Sequence, residues 1–158
     1  MAEDAKIEVR PLQEEDLEMV VQIARTVTGE ENDGFWRGLL RAYLMGEGNL
    51  SEALSPSLCK VAVARGSVLA FMIGDVQSWQ FGVPRCGRIL AVGVDPQNRR
   101  SGLARALAEE FFEQFRRLRV PFVQCQVQPG DLLGDFFESV GFVKSDWITL
   151  TRQLQGGR

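Results

Sequence analysis

The stretch from Arg88 to Arg105 constrains this chain more than any other part of it. Arg88 opens a continuous apolar run that ends at Val94, and Asp95-Pro96 stops it. Such a run reads as a strand buried on both faces. After the polar stretch Gln97 to Ser101, Gly102 to Arg119 sets Leu103, Leu107, Phe111, Phe115 and Leu118 on one helical stripe. A helix therefore begins close to the end of a buried strand. First-turn backbone N–H groups have no partner inside their helix and sit at the positive end of its dipole. This is an anion site, and phosphate is its usual guest. Gly102 lets the backbone approach an anion closely. Ala104 leaves the first turn unobstructed, and Arg99, Arg100 and Arg105 add charged donors. A plain polar loop that caps a helix is the competing reading. The chain has no GxGxxG and no GK[ST], so dinucleotide and P-loop readings fail.

The remaining elements follow from periodicity. Ile7 to Leu12 reads as a strand, and Gln13 to Val27 as a helix with Leu17, Val20, Val21 and Ala24 inward. A polar loop, Thr28 to Gly34, leads to a second helix with Trp36, Leu39, Leu40, Tyr43 and Leu44 on one face. It ends near Gly46 to Gly48. Lys60 to Arg65 and Val68 to Val76 form a predicted hairpin around Gly66-Ser67. Phe122 to Val127 is a strand, Asp131 to Val140 a short helix capped by Gly141, and Phe142 to Leu154 a closing strand. The order β-α-α-β-β-β-α-β-α-β describes an α/β domain with a mixed sheet.

At 158 residues with 45% hydrophobic content, one globular domain over residues 1–158 is expected. No apolar run is long enough to span a bilayer, and the polar N-terminus does not read as a secretory signal. The expected compartment is the cytoplasm, with no membrane partner. Cys59, Cys86 and Cys125 are odd in number and scattered, so neither a disulfide framework nor a metal site is expected. The absence of histidine removes the commonest general base and the Ser-His and Cys-His pairs. A net charge of −3 argues against nucleic acid as a partner. The charge is uneven: Glu3 to Asp33 is mostly acidic, while Arg99 to Arg119 is rich in arginine.

Arg99-x-x-Gly102-x-Ala104 resembles the (Q/R)xxGx(G/A) signature of the GCN5-related N-acetyltransferase (GNAT) superfamily. Val94-Asp95-Pro96 resembles the strand end that precedes that signature. Phe136 to Phe142, ending in Gly141-Phe142, resembles the family's late helix-to-strand segment. The resemblance implies a mixed, mostly antiparallel central sheet with helices on both faces. It implies acetyl-CoA as cofactor and an N-acetyltransferase that moves the acetyl group to a primary amine. The diphosphate is expected on Arg99, Arg100, Ser101, Gly102, Leu103, Ala104 and Arg105. The pantetheine arm is expected along Val92 to Val94, with the Val94 backbone N–H toward the thioester carbonyl. An amide placed where oxyanion charge develops lowers the barrier by a few kcal/mol. The amine attacks directly in a ternary complex, without a covalent acyl-enzyme. The loop Glu30 to Gly34 is expected over the acceptor groove, where its acids would attract a cationic amine. Homodimers are frequent among the relatives.

The chain departs from the family in its acid–base groups. The strand position that often carries a glutamate base reads Arg88, and the late-helix tyrosine position reads Phe137, which is left to wall the thiol end of the cofactor. The starting asparagine of that helix is Asp131, and its small residue is kept as Gly134. Three accounts stand: protons move through water; Asp75, Tyr43 or an acid of Glu30 to Asp33 substitutes; or the domain binds acyl-CoA without turnover. An interaction domain that has lost the cofactor is the further alternative.

Overall fold

Five strands form one mixed sheet in sequence order: β1 (Glu8–Pro11), β2 (Cys59–Ala64), β3 (Ser67–Gln77), β4 (Cys86–Val94) and β5 (Val123–Cys125). β1 to β4 are mutually antiparallel, and β5 joins β4 in parallel. The computed structural model describes residues 5–29, 31–46, 56–78 and 81–155. The chain divides into two compact units, Met1–Gln126 and Val127–Arg158.

In the first unit, α1 (Leu17–Thr28) buries Leu17, Val20, Val21, Ile23 and Ala24. A 3-10 turn, Glu14–Asp16, precedes it. Buried Asp16 accepts from the Gln13 N–H at 2.8 Å and from Arg10 at 2.6 and 3.0 Å, which satisfies the helix entry. α2 (Asp33–Met45) buries Leu40 and Tyr43 and ends on left-handed Gly46. α3 (Leu103–Arg117) buries Leu103, Leu107, Ala108, Phe111 and Phe115. The two sheet faces are identified by what crowds the glycines. A β-carbon on Gly74 or Gly87 would strike the α3 rings Phe111 and Phe115, whereas one on Gly93 would strike Phe71 and the α1 residue Ile23. Helices therefore cover both faces.

The hairpin turn is Arg65-Gly66, one residue earlier than expected. Both residues have positive φ, 51° and 75°, and Ser67 already pairs with Ala64. β4 is also not buried on both faces. Leu90 is 50% exposed, and Ala91, Val92 and Val94 are half-buried. The cause is the short β5, which pairs β4 only at Gly87, Arg88 and Ile89.

In the second unit, α4 (Leu132–Ser139) is capped by Asp131, whose Oδ1 accepts from the Leu133 N–H at 3.0 Å. The expected closing strand over Phe142–Leu154 does not form. The Trp147 N–H bonds locally to Ser145 Oγ at 3.0 Å, a side-chain turn that competes with a ladder. Val143, Ile148, Leu150 and Leu154 are exposed. Among the described residues no helix is long and apolar enough to cross a membrane.

Candidate active site

The site is built by one extra residue. β4 matches β3 residue for residue from Val94↔Ala70 to Ala91↔Ile73, and then Gly74 faces Ile89, so Leu90 is a bulge. A bulge reverses which backbone groups and which side chains face each way. Before it, the Gly87 N–H points to β5, donating to Phe122 O at 3.0 Å. Beyond it, the Asp95 N–H donates to Leu69 O at 2.8 Å, so Asp95, Gly93 and Ala91 direct their polar groups to β3. Val92 and Val94 therefore direct theirs to the other edge, where β5 has already ended. Side chains reverse too: Gly87 faces α3, and Gly93 faces α1.

That open edge runs into the loop before α3. Asp95 holds the loop in a 3-10 turn, accepting from Gln97 N at 3.2 Å and Asn98 Nδ2 at 2.9 Å, while Asn98 N donates to Asp95 O at 2.8 Å. Ser101 Oγ donates to Asn98 O. Arg100 and Gly102 are both left-handed, with φ of 61° and 83°. For an arginine this is a sparsely populated conformation, held by its surroundings. Left-handed residues beside a helix start turn successive N–H groups toward one concavity. Gly102 is the N-cap of α3 and supplies no capping side chain. A β-carbon at Gly102 would meet nothing within 4 Å, so the space before the helix is open. Arg99, Arg100, Ser101, Gly102 and Arg105 are exposed, Ala104 is half-buried and Leu103 is buried. Among the described residues Arg99 and Arg100 have no carboxylate partner. Unpaired helix-end donors, open space and two uncommitted cations fit a diphosphate.

Two sequence candidates for proton transfer already have partners. Tyr43 is fully buried, and its hydroxyl donates to Gly74 O at 2.6 Å. Burial, with Asp75 nearby, pushes its pKa upward. Asp75, 9% exposed, accepts from Arg88 Nε at 2.8 Å and Nη2 at 2.6 Å. This pairing raises the Arg88 pKa. The two face each other across β3 and β4. The only advance signal of this pair was an arginine within an apolar run, which needs a compensating partner.

Asp33 of the acidic loop pairs with Arg25, and Arg37 approaches it at 3.8 Å. Glu31 is exposed, and Glu30 lies outside the described residues. Phe137 belongs to the second unit, where its ring packs against Phe136 and Phe142 at centroid distances of 5.1 and 5.0 Å.

The sequence profile of the acetyltransferase (GNAT) family matches residues 25–142. No curated protein sequence matches this chain. Among solved structures, an aminoglycoside N-acetyltransferase in complex with CoA superposes with a TM-score of 0.79 at 12% identity, covering 98% of this chain and 99% of its own. Ard1 from Thermoplasma volcanium gives 0.70 at 26% identity, over 88% of this chain and 84% of its own. A ribosomal-protein-alanine N-acetyltransferase from Brucella melitensis biovar Abortus gives 0.72 at 13% identity, over 95% and 100%. An open strand edge leading into a glycine-capped helix thus coincides with a family match over most of the chain. The chain belongs to the acetyltransferase (GNAT) family and is an N-acetyltransferase that takes its acetyl group from acetyl-CoA.

Proposed function

We propose that this protein moves the acetyl group to a primary amine by direct attack in a ternary complex, with the diphosphate of CoA held at the start of α3. The observation that carries this reading is the β4 edge at Val92 and Val94, which β5 leaves unpaired and which leads into the loop before the glycine-capped α3. Acetyl-CoA supplies an acetyl group activated as a thioester. The N–H groups of Gly102, Leu103 and Ala104 bind its diphosphate, with Arg99, Arg100 and Arg105 as charged neighbours and Ser101 shaping the turn. Val92 and Val94 offer ladder-type hydrogen bonds to the pantetheine amides. The Val94 N–H is the donor placed for developing oxyanion charge.

The acid–base half relies on water. The Tyr43 proton is committed to Gly74 O, and both oxygens of Asp75 to Arg88, so these residues position the floor of the site. A free alkyl ammonium has a pKa of about 10.4, so its proton must leave before attack, and water carries it away. Free thiols at Cys59, Cys86 and Cys125 suit a reducing compartment such as the cytoplasm.

The test is thiol release from acetyl-CoA across a panel of primary amines, with product mass to locate the acetyl group. Amine-dependent release with N-acetyl product is the expected result. O-acetyl product, or acetylated protein that chases into product, contradicts direct N-transfer.

A further inference from the structure

Arg88 is the charge in the first unit whose position most needs an explanation. It sits within the apolar strand β4, and its pairing leaves it incomplete. Asp75 takes Nε and Nη2, while Nη1 has no partner among the described residues and 38% of the side chain remains exposed. An ion pair that served only stability could be replaced by packed apolar side chains at little cost. Here a buried carboxylate instead holds a guanidinium rigidly and leaves one end of it presented outward.

Its surroundings are ordered for that purpose. Tyr43 of α2 bonds Gly74 O, beside Asp75. Gln124 of β5 is in register with Arg88 and shares its face of the sheet. Its Oε1 lies 3.9 Å from Cys86 Sγ, which turns its amide N–H2 group elsewhere.

The position is equally specific. Ile89 is the last β4 residue paired with β5, so Arg88 stands at the point where the two strands part. On the reading above, the thioester arm lies along Val92 and Val94 and runs toward that point, and the acceptor amine approaches it there. A second ammonium near Arg88 would be repelled. A carboxylate would meet a planar donor already aligned by Asp75.

We propose that Arg88, oriented by Asp75, recognises a carboxylate on the acceptor, so that the preferred substrates are amino acids or similar amines with a carboxylate near the amino group. Arg88 is then a specificity residue and Asp75 a positioning residue. The proposal rests on the cofactor placement given under Proposed function.

The test uses the proteinogenic amino acids, each paired with its carboxamide, and thiol release as the readout. Wild type, Arg88→Lys, Arg88→Gln and the double variant Asp75→Asn/Arg88→Gln are compared, each with a melting curve with and without CoA. The double variant removes both charges and keeps a fold control if Arg88→Gln alone is unstable. The wild type is expected to favour one or more acids over their amides at least tenfold in kcat/KM, mainly through KM. The acid-to-amide ratio should fall to about one in the Gln variants and to an intermediate value in Arg88→Lys. Equal or better use of amides, turnover of no acid while CoA binds, or a preference that survives Arg88→Gln in a folded protein overturns the proposal. Failure of CoA to stabilise the wild type would instead overturn the cofactor placement.

Discussion

The two halves of β4 share a strand and do opposite things. From Gly87 to Ile89 the strand is closed on both edges, and Gly87 is required because a β-carbon there would lie 2.6 Å from the Phe115 ring. From Leu90 to Val94 it has β3 on one side and, among the described residues, no strand on the other. The bulge at Leu90 separates them. Pairing satisfies backbone donors and stabilises the sheet, whereas withholding the partner leaves donors for a ligand. The site follows from where β5 stops as much as from any side chain.

Ligand binding should respond most strongly at the open end. Gly102→Leu should weaken CoA at least a hundredfold by calorimetry, because its side chain fills the space before α3. Its positive φ would also cost about 1–3 kcal/mol of stability. Normal CoA affinity would remove the open half from the binding site.

The closed half should instead respond in stability. Gly87→Ala should destabilise the fold by about 1–3 kcal/mol in denaturant titration through overpacking against Phe115. The folded fraction should keep wild-type CoA affinity. A loss of affinity larger than the loss of folded protein would mean that the two halves are not independent.

Tyr43→Phe should cost about 1–2 kcal/mol by leaving Gly74 O short of a partner. Its pH–rate profile should stay that of the wild type. A lost basic limb in that profile would make Tyr43 a proton donor after all.

The smallest effect concerns pH. Burial raises the Cys125 thiol to about 11 and moves the Cys86 thiol in the same direction. Cys59 on β2 is raised to about 12. Unfolded thiols ionise near 9, so above that pH the folded chain holds more protons than the unfolded one. Stability is therefore full below pH 9 and is lost as pH rises through 11 to 12. The melting temperature should fall by a few degrees between pH 8 and 10, and Cys125 should alkylate more slowly than free cysteine at pH 8.5. Alkylation of Cys125 at the free rate would show that the β4–β5 pairing opens readily.

The open half was partly legible in the sequence and the closed half less so. The Gly102 turn and the α3 stripe are local signals, read from a handful of neighbouring residues. The bulge is invisible because Ile89-Leu90-Ala91-Val92 is all apolar, and a period of two can be phased only where polar residues alternate. The Asp75–Arg88 pair joins distant residues through the β3–β4 register, which the bulge itself sets. The hairpin turn slipped by one because Arg65, not Ser67, accepts positive φ. The β-branched run after Phe142 looked like a strand, but local propensity does not supply a partner.

The most direct measurement follows backbone amide resonances of the protein as CoA is added. The expected result is that the amides of Val92, Val94, Gly102, Leu103 and Ala104 move furthest, while those of Gly87 and Ile89, on the same strand but already paired, stay nearly still. Equal movement in both halves of β4, or movement confined to other elements, would contradict the placement of the cofactor on unpaired main-chain donors.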